Sequence, residues 1–256
     1  MNTSFADIEK KENRKDLIIS ICVFLSGFSC FAQLYYFQPL LPDLAKDFIL
    51  SASESSFAIS FSTLGMVFGL FTTMFVADRI PRKKMIGTGL LSSSIFSVAA
   101  SFSPTFLPLI LLSAAKGFLL SGATSVSMAY IAEEVSSRNK GKIMGLYIAG
   151  NALGGMAGRV ISSWIGALYT WRIASVSIGL ICALFAILFL LFSPRSTNFM
   201  PRKESFHTLI IANLQLITSK ALIPFYLTGG LILGVFVSLY NYLGFYLTKA
   251  PFNFPE

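Results

Sequence analysis

Seven long apolar runs dominate the chain, beginning near Leu17, Phe57, Met85, Phe106, Ile143, Trp171 and Ala221. A helix that crosses a bilayer needs about 20 mostly apolar residues. The pattern predicts such helices over 17–38, 55–77, 85–103, 106–131, 143–165, 171–192 and 221–247. The first six are joined by short connections, so consecutive helices are antiparallel neighbours. Only 193–220 is long and polar. Pro194, Pro201 and the cluster Arg202, Lys203, Glu204 break it, while 205–218 has the pattern of an amphipathic helix lying on a membrane surface. The expected architecture is therefore all-α: an N-terminal segment 1–16, a six-helix bundle 17–192, a linker 193–220, and a seventh helix with the start of an outer loop, 221–256. The first span reads as an uncleaved anchor, because its apolar stretch exceeds that of a signal peptide and no A-x-A site follows it.

Composition supports the membrane class. Hydrophobic residues make up 54% of the chain and charged residues 12%, against about 25% charged in a soluble domain. Mean hydropathy is +0.70, and 25 Phe accompany 9 Tyr and 2 Trp. These values exclude a soluble enzyme, a disulfide scaffold and a disordered chain. Cys22, Cys30 and Cys182 all lie in apolar runs and read as buried thiols. The net charge of +8 does not imply nucleic-acid binding, because the basic residues sit in clusters between spans.

Those clusters set the orientation. The leader carries Lys10, Lys11, Arg14 and Lys15; the loop after span 2 carries Arg79, Arg82, Lys83 and Lys84. The loop after span 4 has Arg138, Lys140 and Lys142, and the linker has Arg195, Arg202, Lys203 and Lys220. Fifteen cations thus lie on one side, against Lys46, Arg172 and Lys249 on the other. The positive-inside rule places the N-terminus in the cytoplasm, and the expected location is the inner, or plasma, membrane as a multi-pass protein. Seven-helix receptors and retinal proteins have the opposite orientation. A retinal protein also needs a lysine within its last helix, and span 7 has none before Lys249.

Ionisable and polar groups within the spans are the candidate functional residues. Lys116 lies about ten residues into span 4, roughly 15 Å deep at 1.5 Å per residue, and shares a face with Ser113, Ser127 and Tyr130. Span 1 carries Ser26, Ser29, Gln33 and Tyr36 at spacings of 3, 4 and 3, and span 7 carries Gly234, Ser238 and Asn241. Three such stripes suggest three walls of an aqueous cavity, with Gln33, Tyr36, Lys116, Ser127 and Asn241 as substrate contacts. The alternative for the hydroxyls and amides is bonding across helix interfaces. In span 5, Gly150, Gly154 and Gly158 recur every fourth residue, a spacing that lets two backbones approach closely. Asn151, Gly155 and Arg159 form a neighbouring stripe, with Arg159 placed either for function or as a topology anchor, within reach of a carboxylate such as Asp43. His207 has no ligating neighbours, so no metal site is expected. Neither a nucleophile–base pair nor a phosphate-binding loop appears, so neither enzyme chemistry nor a cofactor is expected.

The loop after span 2 reads VADRIPRKKMIG. It resembles the major facilitator superfamily, whose signature there is G-x-x-x-D-R-x-G-R-K/R. Asp78, Arg79, Arg82 and Lys83 fill the charged positions of this gating loop, while Met74 and Pro81 replace its glycines. GNALGGMAG resembles the glycine-rich fifth-helix motif of the family's proton antiporters, with Asn151 where proline is usual. QPLLPDLAKDF, LSGATSVSMAYIAEEV and WRIA are similar to a bacterial efflux branch of the family, often labelled arabinose-efflux-permease-like. The fourth-helix R-x-x-x-G motif has Ser113 at its arginine position before Gly117, with Lys116 one turn on.

The resemblance implies a secondary carrier with helices 1, 4 and 7 around a central cavity. It would export a small molecule, sugar or drug-like, in exchange for protons. It also suggests that Glu133 or Glu134 pairs with Arg79 or Arg82. Proton exchange comes from the resemblance alone, since spans 1, 2, 5 and 7 hold no central carboxylate. Family members have twelve helices in two halves, and this sequence accounts for one half, a linker and one further helix. The chain is then expected to be a fragment, one part of a carrier split over two chains, or half of a dimer, with the fragment leading. A non-transporting scaffold, assembly factor or receptor is the alternative from another class.

Overall fold

A computed structural model of the chain describes residues 5–201 and 206–247. Arg202, Lys203, Glu204, Lys249 and the side chains of Lys11 and His207 lie outside the described residues. No strand occurs among those that are described. Helix α1 (Phe5–Tyr35) is followed by two short helices, α2 (Leu41–Asp47) and α3 (Ala52–Ser55). The long helices α4 (Phe57–Val76), α5 (Arg82–Ser101), α6 (Phe106–Glu134), α7 (Lys140–Leu168) and α8 (Trp171–Phe192) complete a six-helix bundle with α1. Beyond it lie α9 (Phe206–Ile217) and α10 (Ile223–Leu247).

Each expected span has its helix. Five helical stretches are long and apolar enough to cross a membrane: Glu12–Tyr35, Ala52–Arg79, Phe106–Glu134, Trp171–Phe192 and Ile223–Leu247. The other two, α5 and α7, are less apolar and run within the same bundle. α5 buries Ser93, Ser94, Ser97 and Ser101 by bonding each hydroxyl to a carbonyl three or four residues back in its own helix. α1 starts well before its apolar run, because the intervening Glu, Lys and Arg are good helix formers. The apolar pattern does not reveal α2 and α3. Pro42 stands in the first turn of α2, where its missing N–H costs nothing. Ser51 and Glu54 form a reciprocal capping box that starts α3.

Two helix pairs form the closest contacts, α1 with α7 and α4 with α6. Both depend on glycine. A methyl group on Gly150 would lie 2.6 Å from the Phe24 carbonyl oxygen, and one on Gly158 2.7 Å from Ala32 Cα. Gly154 meets the Phe28 backbone in the same way. On the other pair, Gly65 abuts the Ala114 carbonyl and Gly117 the Ser62 carbonyl. In span numbers these are pairs 1–5 and 4–2, which interchange when the first three helices are swapped with the second three. α5 and α8 pack together, α5 also against α6 and α8 also against α1.

The buried side chains form two clusters. One, around Leu90, Val126, Tyr130, Tyr147 and Phe189, lies toward the end of the bundle bearing the basic loops. The other, around Tyr36, Phe37, Leu44, Ile59 and Trp171, lies under α2 at the opposite end. α10 packs more lightly, with no buried residue among its 25, although Val237 and Phe245 rest against the two clusters. It touches α2 where Gly244 meets Pro42, and it faces α1 and α7 across a cavity.

Candidate functional site

A cavity of about 550 Å³ separates α1 and α7 from α10. Its polar wall is the α7 stripe Asn151, Gly155 and Arg159; its aromatic walls are Phe31 and Tyr35 from α1 and Phe236 and Tyr240 from α10. Gly155 has no side chain to block the arginine one turn later, and its carbonyl accepts a hydrogen bond from Arg159 Nη1 at 2.8 Å. Arg159 Nε donates to Gln38 Oε1, in the turn between α1 and α2, and Gln38 Nε2 donates to Asn241 Oδ1 of α10 at 2.9 Å. The guanidinium carbon lies 4.5 Å from the Tyr35 ring centre, 4.6 Å from Tyr240 and 5.4 Å from Phe236. These rings attract the cation through their electron-rich faces. Nη2 is buried and has no hydrogen-bond partner. The hydrogen bonds of Arg159 go to the neutral Gln38 and Gly155 carbonyl oxygens.

Lys116 occupies a different place. Its side chain is buried inside the six-helix bundle, with Nζ 4.5 Å from the Tyr36 ring centre, 4.9 Å from that of Phe37, and without a hydrogen-bond partner. Tyr36 shares a 2.9 Å hydrogen bond with Ser175 of α8, and Ser97 of α5 donates to Gln33 Oε1 at 3.2 Å. Ser127 bonds to the Ala123 carbonyl within α6. The structure therefore brings Tyr36 and Lys116 together, ties Gln33 to α5 instead, and joins Asn241 to Gln38 beside Arg159. The stripes of α1 and α6 turn into the bundle, where Ser29 Oγ, Gln33 Nε2, Ser113 Oγ and Lys116 Nζ are buried without a hydrogen-bond partner, while Gln33 and Tyr36 bond to α5 and α8. The α10 stripe meets the site only through Asn241. The aromatic wall, which polar spacing does not reveal, had its own sequence signal in Phe31/Tyr35 and Phe236/Tyr240. Both pairs are spaced i, i+4 and so lie on one helix face.

At the basic end, Arg82 organises the loop between α4 and α5. Its Nη2 donates to Asp78 Oδ1 at 2.8 Å and to Glu133 Oε1 at 3.1 Å, and its Nη1 to the Ala77 carbonyl at 2.6 Å. Burial alone would lower the pKa of this arginine, but the bonds to Asp78 and Glu133 outweigh it and hold the value above the ordinary one. Pro81 has φ −53° and ψ 132°, so the turn enters α5 through extended backbone rather than a left-handed residue. Arg79 is exposed. Lys83 uses its backbone N–H on Ser196 Oγ and its ammonium on the Ser193 carbonyl. Glu134, next to Glu133 but turned away from it, takes Lys15 Nζ at 2.9 Å, Thr197 Oγ1 at 2.9 Å and the Asn198 N–H at 2.7 Å. The two carboxylates thus divide the work: one holds the loop, the other holds α1 and the start of the linker.

The opposite end has a smaller clamp. Asp47, closing α2, accepts hydrogen bonds from Trp171 Nε1 at 3.0 Å and from the Arg172 guanidinium, which start α8. These bonds hold the Asp47 carboxyl below its ordinary pKa. Among the described residues no group of three or more His, Cys, Asp or Glu side chains is arranged to hold a metal ion.

Comparison with known proteins assigns a family to this arrangement. The model of the Major Facilitator Superfamily matches residues 20–255. An uncharacterised transporter of Buchnera aphidicola from Schizaphis graminum is 35% identical over 245 residues, covering 96% of this chain and 59% of the relative. The inner membrane transport protein YnfM of Escherichia coli K12 is 35% identical over 236 residues, covering 92% of this chain and 56% of that protein. The fold matches an inward-facing, unoccupied bacterial homologue of the human lysosomal transporter Spinster. Its TM-score is 0.73 at 14% identity, over 91% of this chain and 55% of that one. The chain thus spans less than two thirds of the length of these relatives.

Proposed function

The chain belongs to the major facilitator superfamily, and from that premise we propose that it serves a secondary transporter that moves a small molecule across the inner membrane by alternating access, with its N-terminus in the cytoplasm. The observation that carries this reading is the cavity between the bundle and α10. It lies where the six-helix bundle meets a helix bonded to it by few groups, and a permanent cation stands in its wall. The Arg82 network supports it, because a loop pinned to the end of α6 by Glu133, with Asp78 bracing the same guanidinium from within the loop, is a latch whose opening changes access at that end.

In this reading the direction is export and the exchanged ion is the proton, as the glycine motif of α7 suggests. Rocking requires a second helical body. It faces α10, and a second chain is one way of supplying it. The bilayer covers the exposed apolar faces of the bundle.

The test is flux. The purified protein is reconstituted into liposomes containing a pH-sensitive dye and challenged with a panel of small organic solutes. Solute-dependent proton movement supports the proposal. Folded protein that moves neither protons nor any labelled solute, with or without a pH gradient, would place it with scaffolds.

A further inference from the structure

We propose that the cavity between α1, α7 and α10 selects organic monoanions with a flat apolar body, aryl carboxylates in the simplest case, and that Arg159 receives the carboxylate. This rests on the transport reading, whose site it occupies.

Charge comes first. A guanidinium stays protonated in any protein environment, so Arg159 carries a permanent positive charge in the wall of the cavity. Its hydrogen-bond partners, the Gln38 amide oxygen and the Gly155 carbonyl, are neutral. Both N–H groups of Nη2 are unspent. A buried donor without an acceptor is costly, and a carboxylate arriving from the cavity supplies both the missing acceptor and the missing charge. Because Nη2 is buried, Gln38 or Tyr240 has to turn aside to admit it.

Shape and polarity come second. The same rings that hold the guanidinium, Tyr35, Phe236 and Tyr240, line the cavity, and Phe31, Met156 and Leu233 continue the apolar lining. A cavity of about 550 Å³ is within the range that holds drug-sized ligands, about 300–1,000 Å³. A two-ring acid fits it. The described lining residues include no Asp or Glu, so an organic cation would meet only the arginine. A sugar would find Asn151, Arg159 and two tyrosine hydroxyls for its many groups, and apolar surface for the rest. Of the two substrate types that the sequence suggests, the lining favours the drug-like one and gives it a negative charge.

The test uses the full chain in lipid nanodiscs and radiolabelled 2-naphthoate, with 2-naphthamide and 2-naphthylmethylammonium as neutral and cationic competitors of the same shape. The expected result is saturable binding that unlabelled naphthoate displaces, with the amide and the ammonium weaker by about tenfold or more. Arg159→Gln lowers affinity by a similar factor, and Arg159→Lys restores part of it. Should Arg159→Gln not fold, Tyr240→Leu on the exposed helix α10 replaces it, with a severalfold loss expected. Absence of saturable naphthoate binding, equal competition by the amide, or unchanged affinity in whichever variant folds would overturn the proposal. The two readings fail separately. Arg159-dependent binding without flux of any solute in liposomes removes transport and leaves this site. Flux of other solutes without Arg159-dependent naphthoate binding removes this site and leaves transport.

Discussion

Arg82 meets Glu133 across 51 positions of sequence, with two nitrogens of one guanidinium directed at a single carboxylate oxygen at 3.1 and 3.2 Å. The arginine side chain is 9% exposed and the glutamate 25%, so solvent screens the pair only in part. A double-mutant cycle with Arg82→Gln and Glu133→Gln, read by thermal unfolding in detergent, should give a coupling of about 1 kcal/mol. Exchanging the charges, Arg82→Glu with Glu133→Arg, should recover part of the loss of either single reversal. Recovery stays partial because Asp78 and the Ala77 carbonyl also bind Arg82. Strictly additive effects would show that the contact is not an energetic one.

The α1–α7 interface makes a sharper claim about single atoms. Gly158→Ala adds a methyl 2.7 Å from Ala32 Cα, a backbone atom that cannot turn aside. The expected cost is about 1–3 kcal/mol, seen as reduced yield and a lower unfolding temperature. Gly145→Ala on the same helix meets nothing within 4 Å and should be neutral, or stabilising by about 0.5–1 kcal/mol through helix propensity. Equal effects at the two positions would contradict the packing described for this interface.

Lys116 is 1% exposed and its ammonium has no hydrogen-bond partner. Methionine has similar length and makes favourable contacts with aromatic rings such as Tyr36 and Phe37. Lys116→Met should therefore stabilise the bundle, raising the unfolding temperature by about 2–4 °C for each kcal/mol gained. The three buried cysteines make a thiol-reactive dye a convenient reporter of unfolding. A fall in unfolding temperature would mean that the lysine stabilises the bundle.

Asp47 provides the pH dependence. Hydrogen bonds from Arg172 and Trp171 depress its pKa in the folded protein. The stability it contributes is therefore fully present above its unfolded pKa of about 3.9 and is lost as the pH falls through the lower folded value. Asp47 and Arg172 are 41% and 40% exposed, so the effect is small. Unfolding temperatures measured between pH 6 and pH 3 should fall more steeply in the native protein than in Asp47→Asn. Parallel curves would show that the clamp contributes no stability.

The helices were legible in the sequence because an apolar run of bilayer length satisfies its backbone in lipid only by coiling into a helix. The glycine stripe of α7 was legible too, since its spacing announces a close approach, though not that Phe24, Phe28 and Ala32 are the partners. The cavity was harder to read. Polar spacing on α1 singled out Gln33 and Tyr36, and these turn inward to Ser97 and Ser175. A stripe defines a face of a helix but not the neighbour that the face meets. Phe31 and Tyr35, on another face of the same helix, line the cavity instead. Glu133 and Glu134 were equivalent candidates in one dimension. The helical turn between adjacent residues sends one to Arg82 and the other to Lys15.

Alternating access is the central claim, and accessibility from the two membrane faces tests it without knowledge of the substrate. Ala152 is exposed and lines the cavity, and the native cysteines are buried, so Ala152→Cys gives a single reactive thiol at the site. Ser137→Cys, exposed beyond the basic end of α6, reports orientation. With a membrane-impermeant maleimide, position 137 should label from one face only, and position 152 from both, in right-side-out and in inverted vesicles. Labelling of position 152 from one face alone, or from neither, while position 137 reports a single orientation, would contradict the account.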